Sequence, residues 1–181
     1  MIDNKIITVT RDCDAVLVPV GDKVKLLKGT KVRITQSLGG DYTLNVGGNL
    51  VKISGLDSDA IGIDLEIDDT QDFAGITVAN EEMIWDQLKT CYDPEIPVNI
   101  VELGLIYKLD IHDEGTNSIS VQIDMTLTAP GCGMGPVIAA DVDTKVSSLP
   151  GISDVTVNVV WDPVWDQSMM SEEAKLQLGM L

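Results

Sequence analysis

The run Ile119-Ser-Val-Gln-Ile-Asp-Met125, then Thr126-Leu-Thr-Ala-Pro-Gly-Cys-Gly-Met-Gly-Pro136, then Val137 to Pro150, decides how this chain folds. Ile119, Val121, Ile123, Met125 and Leu127 alternate with Ser120, Gln122, Asp124, Thr126 and Thr128. Period two with one apolar and one polar set predicts a strand with one buried and one wet face. Ile138, Val142, Val146 and Leu149 then recur at helical spacing, and Pro150-Gly151 closes that pattern. Between strand and helix lie Pro130, Gly131, Gly133, Gly135 and Pro136, all around one cysteine, Cys132.

Outward from there the pattern continues. Val155, Val157, Val159 and Trp161 predict a further strand. A helix between two strands returns the chain to the same edge, so these two strands should run parallel. Before them, Leu105, Tyr107, Leu109 and Ile111 predict a strand running the other way. Earlier still, Asn80 precedes Glu81 and Glu82, as at a capped helix start. Ile84, Leu88 and Cys91 form its apolar face, and Pro94 and Pro97 stop it. Ser171, with Glu172 and Glu173, starts a short last helix. The fold class is therefore α/β (α+β), with an α-β-β-α-β order in this part.

Residues 1–56 read differently. Val16 to Val20, Lys23 to Leu27, Lys31 to Gln36, Tyr42 to Val46 and Asn49 to Ser54 are short, β-branched runs. Gly21-Asp22, Gly29-Thr30, Gly39-Gly40 and Gly47-Gly48 separate them. Gly47-Gly48 between two such runs predicts a hairpin with a type I′ turn. Five short strands predict a small all-β, SH3-like barrel. Charge marks the boundary. Residues 1–56 carry eight basic and five acidic side chains; residues 57–181 carry four basic and 24 acidic ones. Seven acids and no base lie between Asp57 and Asp72. The expected division is a barrel-like domain over 1–56, an acidic linker over 57–79 and an α/β domain over 80–181.

The chain has 181 residues and a formal net charge of −17. So negative a surface repels phosphate backbones, which argues against nucleic-acid and anionic-membrane binding. There is one histidine, His112, so a zinc site built on several histidines of one chain is excluded. Cys13, Cys91 and Cys132 form no C-x-x-C pair. Neither phosphate-binding glycine motif occurs. No apolar run approaches the ~20 residues that span a bilayer, and the N-terminus carries no signal-peptide pattern. Sparse, odd cysteines then point to a reducing, cytoplasmic setting.

Chemistry concentrates at Cys132. A buried structural cysteine usually has apolar flanks on a regular element. Here the flanks are breakers that bring the backbone close and leave the sulfur uncovered, beside a helix start that favours thiolate. The competing reading is a tight loop with Cys132 as a small filler. Cys91 reads as core; the environment of Cys13 stays open. His112 reads as a surface residue at a strand end. Asp93-Pro-Glu-Ile-Pro97 is either a rigid helix exit or a carboxylate pair on a stiff turn. Trp161-Asp-Pro-Val-Trp165 is either a core seal or a docking patch.

Four ordered strings, Cys91-Tyr-Asp-Pro-Glu-Ile-Pro-Val-Asn-Ile100, Leu103-Gly-Leu-Ile-Tyr107, Thr126-Leu-Thr-Ala-Pro-Gly-Cys132 and Trp161-Asp-Pro-Val-Trp165, resemble the SufT/PaaD-like iron–sulfur cluster assembly domain family over residues 78–181. Thr8-Val-Thr-Arg-Asp-Cys13, Thr35-Gln-Ser-Leu-Gly-Gly40 and the ending Met170-Ser-Glu-Glu-Ala-Lys-Leu176 resemble its SufT branch. Gly133 stands where many members have proline, and the SufT branch resembles this chain there.

The resemblance implies an iron–sulfur-assembly-type domain and a role in maturing iron–sulfur proteins of the SUF pathway, without a catalytic reaction. It implies Cys132 as the cluster or metal ligand, with Asp93, Glu95 and Thr128 in support. One thiolate is too few for a cluster, which usually takes four protein ligands. The iron–sulfur cluster would be held transiently and between chains. SUF scaffold or carrier proteins, apo iron–sulfur client proteins or a homodimer would supply the rest. Two alternatives stand beside this reading. One is a pure protein adaptor of the same pathway with Cys132 structural. The other is a cysteine-nucleophile enzyme, which lacks a base near its thiol.

Overall fold

The computed structural model describes residues 6–64 and 75–180. The chain divides into two compact units, residues 1–72 and 73–181.

The first unit is a six-stranded antiparallel sheet of β1 (Ile6–Thr8), β2 (Cys13–Val18), β3 (Lys23–Leu26), β4 (Lys31–Leu38), β5 (Asp41–Val46) and β6 (Asn49–Ile53), in the order β1-β4-β5-β6-β2-β3. The Gly47-Gly48 turn has φ of 58° and 99°, the doubly positive pair a type I′ turn requires, and it pairs Val46 with Asn49. The expected barrel is not formed. Among the described residues β1 pairs only with β4 and β3 only with β2, so the sheet keeps two edges. β1 was also not expected from the sequence, because three residues are too few to show a period.

Val9, Ala15, Val32, Leu44, Val51 and Ile53 form the core under this sheet, together with Ala60 and Ile61. The last two come from a 3₁₀ helix, Gly55–Ile61. The expected linker at 57–79 therefore starts too early: its first residues are held by apolar burial, which charge counting overlooks. Residues 65–74 of that stretch lie outside the described residues. At its far end Ala79 is buried, and its N–H donates to the Pro150 carbonyl at 2.7 Å.

Arg11 holds the 3₁₀ helix to the start of β2. Its Nε donates to Asp59 Oδ2 at 2.7 Å, and its Nη2 to Asp57 Oδ1 at 2.9 Å.

The second unit follows the expected order. α1 (Glu81–Leu88) is capped by Asn80, whose Oδ1 accepts the Met83 N–H at 2.9 Å. Ile84 and Leu88 are wholly buried, each contributing about 1.5–3 kcal/mol of transfer free energy. The helix ends earlier than the prolines alone imply. The Thr90 hydroxyl and N–H both donate to the Gln87 carbonyl, at 2.7 and 2.9 Å, and close the last turn. Cys91 thus lies beyond the helix, yet is fully buried.

β7 (Ile106–Asp113), β8 (Ile119–Met125) and β9 (Ile152–Val159) form a three-stranded sheet in that order. β7 and β8 are antiparallel; β8 and β9 are parallel, joined by α2 (Gly135–Ser147). Ile138, Val142 and Val146 of α2 are buried, as are Ile119, Val121, Ile123 and Met125 of β8. β9 stops at Val159, so Trp161 falls outside the buried alternation and is 43% exposed. α3 (Glu172–Gln177) is capped by the Ser171 hydroxyl, which accepts the Ala174 N–H at 3.0 Å.

The Arg11 clamp generates a pH prediction. Hydrogen bonding to Arg11 holds the Asp59 carboxyl below its ordinary value. A depressed carboxyl adds stability that is complete above its unfolded pKa, near about 3.9, and lost as pH falls through the lower folded value. The urea midpoint of the first unit, followed by the amide signals of Leu44 and Val51, should therefore be higher for wild type than for Arg11→Ala at neutral pH. The gap should narrow as pH falls below the ordinary carboxylate value of about 3.9 and close in stronger acid. A gap that persists in acid would mean that Arg11 acts through packing instead.

Candidate functional site

Three strand ends meet at one end of the second sheet. The Thr126 N–H donates to the Leu105 carbonyl and the Val160 N–H to the Met125 carbonyl, both at 2.8 Å. The start of β7 and the ends of β8 and β9 are tied together there. The segment 126–134 leaves this junction and carries Cys132. Its two ends are anchored, with Leu127 4% exposed and Met134 wholly buried. The helix start must pass close to Leu127: a Cβ on Gly135 would lie 2.5 Å from the Leu127 Cδ1. Gly131, at φ 78°, turns the chain just before the cysteine.

Cys132 is a free thiol of intermediate exposure, whereas Cys13 and Cys91 are buried. The start of α2 does not turn its donors to the sulfur. The Gly135 N–H donates to the Cys132 carbonyl at 3.1 Å and the Val137 N–H to the Met134 carbonyl at 3.0 Å, while Pro136 has no N–H. These groups close the loop's own turns.

The other expected residues separate. Asp93 is 5% exposed, and its Oδ1 accepts the Glu95 N–H at 2.9 Å. It braces the turn after α1 as an Asx turn does. Glu95 is exposed. The two carboxylates are thus not presented as a matched pair. Thr128 is half-buried within the cysteine loop. Among the described residues no group of three or more His, Cys, Asp or Glu side chains could hold a metal ion. His112 pairs with Ser120 at the beginning of β8, the end remote from the cysteine loop.

One residue at the site was missed by sequence reasoning. Thr126 is wholly buried, and its hydroxyl has no hydrogen-bond partner among the described residues. Such a group costs about 1–3 kcal/mol. The strand's alternation put Thr126 on the wet face, but that face is covered at this end.

The stretch after β9 is pinned to β7 and its approach by side chain–backbone bonds. Trp165 Nε1 donates to the Leu103 carbonyl at 2.8 Å, and the Tyr107 hydroxyl to the Pro163 carbonyl at 2.9 Å. Further on, the Ser171 N–H donates to the Glu102 carbonyl at 2.9 Å. Gly104, at φ 72°, admits this stretch, since a Cβ there would lie 2.2 Å from the Met169 carbonyl oxygen. Within the Trp161–Trp165 block, Trp165 is half-buried with its indole N–H bonded to the backbone, and Trp161 is 43% exposed.

The family model described as iron–sulfur cluster assembly protein matches residues 81–159, and this chain belongs to that family. A Porphyromonas gingivalis protein named Fe-S protein maturation auxiliary factor is 48% identical over 101 residues, covering 56% of this chain and 92% of the relative. The Staphylococcus aureus factor SufT is 48% identical over 88 residues, covering 49% and 96%. The Bacillus subtilis factor YitW is 39% identical over 102 residues, covering 56% and 96%. The family match lies within the second unit. No helix among the described residues is long and apolar enough to cross a membrane.

Two predictions rest on this geometry. Alkylation of the native protein, mapped by mass spectrometry, should label Cys132 first. Cys13 should lag, because burial both hides its thiol and pushes its pKa up; Cys91 should lag because it is sealed in the core. Prior labelling of Cys91 would overturn the placement. Separately, Thr126→Val removes an orphan hydroxyl at nearly constant shape, so it should leave stability unchanged or raise it by about 1–2 kcal/mol. A loss in chemical denaturation would reveal a partner for that hydroxyl.

Proposed function

We propose that this protein is a non-catalytic maturation factor of the SUF pathway, and that Cys132 lends one thiolate to an iron–sulfur cluster in passage to a client protein. The observation that carries the reading is the half-exposed Cys132 thiol at the sheet end, in a domain whose described residues gather no ligand set of their own. A cluster usually takes four protein ligands. A single accessible thiolate therefore suits a shared, short-lived cluster and not a resident one. The other ligands would come from a SUF scaffold or carrier, from an apo client, or from a second copy of this chain.

The names of the relatives support the pathway. The cysteine mechanism rests on this chain's own loop. Asp93 supports it indirectly, by bracing the turn after α1; exposed Glu95 on that turn and half-buried Thr128 in the cysteine loop would meet a partner. The cluster is cargo in this reading, and the cytoplasm is where reduced thiols and such partners coexist. A cysteine-nucleophile reaction fits less well, because His112, the single imidazole, belongs to the far end of the sheet.

The test is Cys132→Ala. A half-exposed loop thiol contributes little packing, so the variant should melt within about 3 °C of wild type. In cells that depend on this protein, the activity of iron–sulfur enzymes should fall severalfold while the amounts of their polypeptides hold. A variant that unfolds makes Cys132 structural. A stable variant that supports client enzymes fully removes the ligand role and leaves an adaptor.

A further inference from the structure

The most unusual surface in the second unit is the segment that follows β9. Trp161 is 43% exposed and Val164 70% exposed. They are not loose ends. Between and beside them, Pro163 is held by the Tyr107 hydroxyl and Trp165 by the Leu103 carbonyl. Further along, Met170 and Ala174 are buried and lock the segment down. The fold thus holds a tryptophan and a valine rigidly in water. Exposed large apolar groups on a fixed backbone are what interface anchors look like, because the entropy of ordering them is already spent.

Position and charge say what should cover them. Val160 donates its N–H to the Met125 carbonyl, the last residue before the cysteine loop, so the loop and this segment leave the sheet from neighbouring strands at the same end. A body resting on Trp161 and Val164 is also a body beside the cysteine loop. From residue 160 to residue 175 there are four acids, Asp162, Asp166, Glu172 and Glu173, and one base, Lys175, whose Nζ donates to the Ser168 carbonyl at 3.3 Å, so the segment stays net acidic. Asp166 stays ionised to lower pH than usual, because the Ser168 side chain and N–H hydrogen-bond to it. A second copy of this chain would bring the same acids against these, so like-charge repulsion opposes a homodimer through this face.

We propose that Trp161 and Val164 are the anchor for the protein that supplies the remaining ligands to the cluster, and that this partner meets them with an apolar pocket rimmed by lysine and arginine. The inference rests on the cluster-passage reading and names where its second chain binds. Basic side chains suit the site twice over. They pair with the flanking carboxylates, and an arginine laid on the exposed indole gains a cation–π contact.

The experiment uses the full chain in its own host, with the photoreactive amino acid p-benzoylphenylalanine placed at position 161 in one strain and at 164 in another. Illumination should give an adduct that mass spectrometry identifies as an iron–sulfur protein or a cluster scaffold or carrier. Trp161→Ser should lower the yield from position 164 about tenfold or more, as loss of a hot-spot tryptophan does. Both variants should melt like wild type, being surface changes. The adduct yield in extracts should also fall as salt is raised. Adducts with a second copy only, with proteins outside cluster metabolism, or with nothing overturn the proposal, and a salt-insensitive yield overturns its basic rim. Cys132→Ala separates the two ideas. It should crosslink as well as wild type while failing to mature clients. Retained maturation with a retained adduct would sink the ligand reading and spare the docking site.

Discussion

The parallel pairing of β8 with β9 is the constraint on which the second unit depends. Two parallel neighbours cannot be joined by a tight turn, so the chain must cross over, and α2 is that crossover. The crossover begins where β8 ends. The loop that starts it must rise from the sheet and enter a helix within a few residues, and it is this loop that carries Cys132. The antiparallel β7 then brings its own start to the same place. The sheet's topology therefore gathers the cysteine loop, the Leu103–Leu105 turn and the stretch after β9 at one end, before any side-chain chemistry is considered.

What keeps the thiol half-open is backbone geometry. Leu127 and Met134 are buried at either end of the loop, and the glycines between them let it bulge without side chains to fill the bulge. The helix start spends its donors on the loop's own carbonyls. Cys132 is accordingly accessible because of shape. Its accessibility does not depend on a nearby acid, base or helix dipole. In the proposed role, a thiol that shares a soft metal centre for a short time needs access above all.

The stretch after β9, which leaves the same end of the sheet, is built for rigidity. Trp165 and Tyr107 tie the stretch after β9 to β7 and its approach. Gly104 matters here because no Cβ fits under the Met169 carbonyl. The Thr126 hydroxyl, at the root of the cysteine loop, is buried without a partner among the described residues. An orphan polar group at the root of a functional loop is a local cost, of the kind that tends to sit where function and folding compete.

Much of this was legible in the sequence because it follows from period and from breakers. Alternation from Ile119 to Met125, helical spacing from Ile138 to Val146 and the crossover rule gave three strands, their directions and the place of the cysteine loop. Gly47-Gly48 gave the hairpin, because only glycines take both positive φ angles readily. Charge misjudged the region after residue 56, since Ala60 and Ile61 are buried between acids and burial is not a count of charges. Closure of the first sheet was not legible either, because it depends on pairing between strands distant in the chain. The buried state of Asp93 and Thr126, and the division of labour between Trp165 and Trp161, were decided by tertiary structure alone. Each turns on which segment lies over which. No local pattern records the stretch after β9 folding back to bond Leu103 and Tyr107, and that contact leaves Trp165 half-buried and Trp161 more exposed.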